Sequence, residues 1–146
     1  MACWQILIVD SDPPAALTTQ HGLQRLLGPE SIVLIAPSPG AAWLHCVRQR
    51  VDLLIVDPTP QNLAAMALIK AVRREQAQTA IMVLAAYDTP GLRHQMKALS
   101  IRHYQVKPIM VSDLAAAVRV AVQGPNAWGS AIRGKGAGHA LPLAAC

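Results

Sequence analysis

Two aspartates, Asp10 and Asp12, follow the apolar run Ile6-Leu7-Ile8-Val9, a third, Asp57, ends the run Leu53-Leu54-Ile55-Val56, and a lysine, Lys107, follows Tyr104-Gln105-Val106. Oxygen ligands of this kind attract a hard divalent cation: Mg²⁺ takes one or two carboxylates together with waters and phosphate oxygens. Asp10, Asp12 and Asp57 can supply carboxylates, and the backbone carbonyl of Thr59 a further ligand. Lys107 adds a point charge able to pair with a carboxylate or a phosphoryl oxygen. A carboxylate so placed can also attack phosphorus, as aspartyl-phosphate enzymes do.

Such chemistry needs the four side chains at one place. The apolar runs are β-branched and unbroken rather than alternating, which marks strands buried on both faces of a parallel sheet. In open parallel sheets the carboxyl ends of the strands share one rim, and ligands bind there. The residues predict strands over Trp4–Val9, Ser31–Ala36, Leu53–Val56, Ala80–Ala85 and Arg102–Val106. Amphipathic stretches alternate with them. The third places Ala65, Leu68, Ile69 and Val72 on one face, opposite Lys70, Arg73 and Arg74. The second offers Leu44, Val47 and Val51, the fourth Leu92, Met96 and Leu99, and the fifth Met110, Leu114, Ala117, Val118 and Ala121. Turn residues fall between these segments: Pro13-Pro14, Gly28-Pro29, Pro37 to Gly40, Pro58 to Pro60 and Thr89-Pro90-Gly91. Strand, helix, strand at this spacing implies right-handed crossovers and a doubly wound, flavodoxin-like (βα)₅ sheet with strand order 2-1-3-4-5.

Composition narrows the class. The chain has 146 residues, 53% hydrophobic and 14% charged, enough for one domain with a real core. The expected division is a domain over 1–123 and a Gly/Ala-rich, flexible tail over 124–146. No apolar stretch approaches the roughly 18 residues that span a bilayer, and no signal peptide is evident, so a cytoplasmic location is expected. The three cysteines, Cys3, Cys46 and Cys146, have no metal or redox spacing and read as free thiols. The formal charge is +5, and without Arg133 and Lys135 the first 123 residues hold 11 basic and 8 acidic side chains. The basic residues form no run with interleaved aromatics, so direct nucleic-acid binding is not expected. A flavin or nucleotide enzyme is disfavoured too. Its first loop would need free N–H groups facing phosphate, whereas Asp10-Ser11-Asp12-Pro13-Pro14 carries two charges and two residues without an N–H.

The chain resembles the receiver domains of two-component response regulators over about residues 4–122. The resemblance rests on Ile-Leu-Ile-Val-Asp-Ser-Asp (6–12), Asp-Leu-Leu-Ile-Val-Asp (52–57), Ile-Met-Val-Leu-Ala-Ala (81–86) and Tyr-Gln-Val-Lys-Pro (104–108). It implies that Asp57 accepts phosphate from a sensor histidine kinase or a phosphotransfer protein. It also implies that Asp10 belongs to the acidic Mg²⁺-binding pair and that Lys107 holds the phosphoryl group. The bond from Lys107 to Pro108 is cis in most members. Tyr104 matches the aromatic that changes position on switching, and output passes to an unknown downstream protein through the surface of the fourth helix, fifth strand and fifth helix. A homodimer is left open, and enzyme character amounts at most to Mg²⁺-dependent self-phosphorylation and autodephosphorylation.

Several positions depart from the family pattern. Ser11 replaces the second acidic residue, leaving Asp12 to compensate from the next position. Ala85 stands where Thr or Ser is usual, Ala65 where Gly is usual, and the Pro beyond Asp57 is displaced to Pro60. These departures keep a second reading in view, a pseudo-receiver that binds partners without depending on phosphorylation.

Overall fold

The computed structural model describes residues 3–59 and 61–123. Five parallel strands, β1 (Trp4–Val9), β2 (Ser31–Ala36), β3 (Leu53–Val56), β4 (Ala80–Ala85) and β5 (His103–Val106), form one sheet in the order β2-β1-β3-β4-β5. Five helices connect them: α1 (Pro13–Leu27), α2 (Pro39–Arg48), α3 (Leu63–Glu75), α4 (Pro90–Ala98) and α5 (Val111–Gln123). The architecture is the expected one. Four strands have the predicted bounds, and the fifth begins one residue later, at His103. The expected tail, 124–146, and Pro60 lie outside the described residues.

The unbroken apolar runs are explained by a core on each side of the sheet. Along β1, β3 and β4 side chains alternate between faces. Leu7, Val9, Leu54, Val56, Ile81, Val83 and Ala85 pack against α2, α3 and α4 through Ala42, Cys46, Ala65, Leu68, Ile69, Val72 and Met96. Ile6, Ile8, Leu53, Ile55, Met82 and Leu84 face α1 and α5 through Ala16, Leu23, Leu114, Ala115, Val118 and Ala121. With apolar partners on both faces, a polar side chain at any of these buried positions would be left without a partner.

The apolar face of α3 is as predicted. That of α2 is so only in part: Val51, just beyond the helix, is buried, but Leu44 and Val47 are exposed, and the buried residues of the helix itself are Ala42 and Cys46. Small side chains let α2 lie close to the sheet, with Trp43 packed at the margin of the core and Leu44 and Val47 left outside. Met110 is also exposed, because α5 starts after it. Cys46 is a free thiol, pushed by burial up to about 11. Cys3, just before β1, is buried.

Helix starts follow local chemistry. Asp12, Ser38, Asn62 and Thr89 each accept a hydrogen bond from a backbone N–H of the turn they precede, and prolines open α1, α2 and α4. Gly28 ends α1 with a positive φ of 75°, a conformation that costs glycine nothing. Gln24 of α1 bonds the edge strand β2 twice, donating to the Ser31 carbonyl and accepting from the Val33 N–H. The loops after β1, β3, β4 and β5 open at one rim, because the strands they leave run parallel in one sheet.

Candidate functional site

Asp10 follows β1, Asp57 follows β3 and Lys107 follows β5, so three strand ends deliver three charges. The Lys107 ammonium donates to Asp10 Oδ2 and to Asp57 Oδ2, each at 2.8 Å. Only 6% of either carboxylate side chain is exposed, against 24% for Lys107. Burial by itself would lower the lysine pKa. The hydrogen bonds from its two carboxylate partners and their charges outweigh that and hold it above its ordinary value. The ammonium stays charged and bridges two groups that would otherwise repel each other.

The backbone fixes the trio. The Asp57 N–H donates to the Val9 carbonyl at 3.2 Å and the Lys107 N–H to the Ala85 carbonyl at 2.9 Å, which extends the sheet ladder by one residue at each place. The Lys107–Pro108 peptide is cis, as the resemblance implies. Asp57 Oδ1 accepts from the Ala86 N–H at 3.4 Å. Asp10 Oδ1 accepts from the Asp12 N–H at 2.9 Å. The strand ladder thus places the side chains, and loop amides orient both carboxylates.

Not every predicted residue joins them. Asp12 is exposed, and its Oδ1 accepts from Ala15 N at 3.2 Å as the cap of α1. Ser11 is exposed beside it. Thr59 is half-buried, and its carbonyl accepts from the Asn62 N–H at 2.9 Å, closing the turn before α3. Ala85 is fully buried at the end of β4, next to the site. Tyr104 is half-buried in β5 and reaches away from the trio, its hydroxyl donating to Asp88 Oδ1 at 2.9 Å. Asp88 and Arg93, which engage Tyr104, were not singled out from the sequence. Asp88 sits just before the α4 cap and Arg93 in the first turn of that helix, positions where a charge ordinarily reads as surface.

Among the described residues no group of three or more His, Cys, Asp and Glu is disposed to hold a metal. Two buried carboxylates do converge, on a point occupied by an ammonium. That donor set fits Mg²⁺, which is commonly held by one or two carboxylates with the rest of its shell from water and phosphate oxygens. No described helix is long and apolar enough to cross a membrane.

Comparison with known proteins agrees with this geometry. The structure is similar to a response regulator of Thermotoga maritima, with a TM-score of 0.73 and 22% identity over 85% of this chain and 100% of that one. It is similar to the chemotaxis protein CheY4 of Vibrio cholerae, with a TM-score of 0.72 and 23% identity over 82% and 99% of the two chains. A response regulator receiver protein of Pseudomonas putida gives 0.72 and 21% over 82% and 98%. These likenesses are of fold. A comparison with curated proteins found no match. The family model for the response regulator receiver domain matches residues 6–119, spanning every strand but the first two residues of β1, and the chain therefore belongs to the receiver-domain family of response regulators.

Proposed function

We propose that this receiver works as a phosphorylation switch, with Asp57 as phosphoacceptor and a histidine of a sensor kinase or phosphotransfer protein as donor. The observation that carries this reading is the Lys107 ammonium at 2.8 Å from both Asp10 and Asp57, a small basin in which opposite charges are already paired. An Asp57 oxygen attacks phosphorus while the P–N bond to the donor imidazole breaks. The electron pair leaves with the imidazole nitrogen, which takes up a proton. The incoming phosphoryl oxygens meet Lys107, a charge-assisted donor already held in place. The Ala86 N–H is a second donor at the same oxygen-rich point. Mg²⁺ bound by Asp10, Asp57 and the Thr59 carbonyl would neutralise the phosphoryl oxygens, with Asp12 adding negative charge at the rim.

Incubation with Mg²⁺ and a small phosphodonor, read by intact mass, tests this. Wild type should gain one phosphoryl group, and Asp57→Asn none. An adduct on Asp57→Asn, or none on wild type, defeats the proposal.

Ala85 and the outward Asp12 favour a second reading, an interaction module whose partners bind without phosphorylation. At residue 85 there is no hydroxyl to donate to a phosphoryl oxygen, a bond worth about 1.5–3 kcal/mol to a charged acceptor. Under that reading neither mass changes, and Asp57→Asn leaves partner binding intact.

A further inference from the structure

The β4–α4 loop carries a polar cluster that touches the candidate site at one end and Tyr104 at the other. At the far end, the Tyr104 hydroxyl donates to Asp88 Oδ1 at 2.9 Å. Arg93 donates to both oxygens of the same carboxylate, from Nε at 2.7 Å and from Nη2 at 2.8 Å. The guanidinium also lies 4.8 Å from the centre of the Tyr104 ring, within cation–π range. One carboxylate thus ties the first turn of α4 to the middle of β5. Burial, and then the bond to Asp88, push the Tyr104 phenol up to about 12, so it remains a donor.

At the near end, the Ala86 N–H donates to Asp57 Oδ1. Ala86, Tyr87 and Asp88 are consecutive. Ala85, which precedes this segment, is fully buried and offers no polar side chain.

We propose that Asp88 is the positioning residue that ties Tyr104 to the Asp57 site through the segment 86–88, in the absence of a hydroxyl at residue 85. The inference rests on Asp57 being the phosphoacceptor. A group added at Asp57 changes what the Ala86 N–H donates to, and so draws that amide toward a new acceptor. Asp88 follows, because a segment this short has few torsions with which to absorb the shift. The phenol and the guanidinium then move with Asp88 or lose it, and the α4–β5 surface changes.

Labelling with 3-fluorotyrosine tests the idea, since the chain has two tyrosines and Tyr87→Phe assigns the two resonances. Beryllium fluoride with Mg²⁺ serves as the phosphoryl probe, and its bound ¹⁹F signal reports adduct formation separately. In wild type the Tyr104 resonance should shift as the adduct forms. In Asp88→Ala the adduct should still form while that shift is lost. In Arg93→Gln, which keeps the carboxylate, the shift should persist. A role in fold stability alone would move the free-state spectrum of Asp88→Ala without abolishing the response to the adduct. An equal response in Asp88→Ala, or a wild-type adduct to which Tyr104 is indifferent, overturns the proposal by itself. Absence of any adduct in wild type defeats the phosphoacceptor reading and this inference with it.

Discussion

Lys107 reaches across fifty residues of sequence to Asp57 and places its ammonium 2.8 Å from a carboxylate oxygen that is almost wholly buried. Because it also contacts Asp10, the lysine is the neutralising charge for a pair of enclosed anions. Removing one member of a buried ion pair leaves the other charge uncompensated, which costs about 3–5 kcal/mol in full burial. With Lys107 itself partly exposed, Lys107→Ala should lose about 2–3 kcal/mol in urea unfolding without divalent cation. Mg²⁺ should restore part of that loss, because it would replace the missing positive charge. The sign of the pH effect follows from the raised lysine pKa: its stabilisation is complete at neutral pH and is lost only as pH rises above the ordinary lysine range. A variant as stable as wild type in metal-free buffer would show that the two carboxylates do not depend on the lysine.

His103, at the start of β5, has its pKa lowered first by burial and then by the neighbouring Arg102 charge. A folded-state pKa below the unfolded value of 6.5 means that the unfolded chain takes up the proton first. Stability from this group is therefore present above about pH 6.5 and falls as the pH is lowered through that range. His103→Gln should flatten the difference in urea midpoint between about pH 7 and about pH 5 relative to wild type. Parallel curves for the two proteins would remove His103 as a cause.

Gly22 marks a close approach between α1 and α5. A Cβ built there would lie 2.5 Å from Val111 Cγ2, and the β-branched valine has little rotamer freedom with which to retreat. Gly22→Ala should lose about 1–3 kcal/mol by overpacking, more than the roughly 1 kcal/mol that alanine brings to a helix interior. In a Val111→Ala background the same change should stabilise, by about 0.5–1 kcal/mol. Thermal unfolding of the four proteins reads the reversal of sign, and destabilisation in both backgrounds would point to a different contact.

Ala85 is fully buried beneath the candidate site. Ala85→Thr adds a methyl and a hydroxyl to a packed position and should lower stability by about 1–3 kcal/mol. A urea midpoint unchanged from wild type would mean that room for the larger side chain is already present beside Tyr104.

How far the residues alone reach is clearest at the strands. The runs at 6–9, 53–56 and 81–84 are apolar at every position because both faces of the sheet are covered, and their lack of alternation identified the parallel, doubly wound arrangement. Since parallel strands end on one side, the placement of Asp10, Asp57 and Lys107 at a common rim followed as well. What could not be read locally is which of two neighbouring groups faces inward. Asp12 has a carboxylate as suitable as that of Asp10, but the start of α1 leaves amides without partners, and Asp12 turns outward to cap them. In α2 periodicity pointed to Leu44 and Val47, whereas the approach of the helix to the sheet selected Ala42 and Cys46. Asp88, Arg93 and Tyr104 acquire their relation only when β4, α4 and β5 are packed side by side. Short-range pattern reports burial, because burial constrains every residue of a strand; the direction of a polar side chain depends on donors brought from elsewhere in the chain, and those are arranged by tertiary packing.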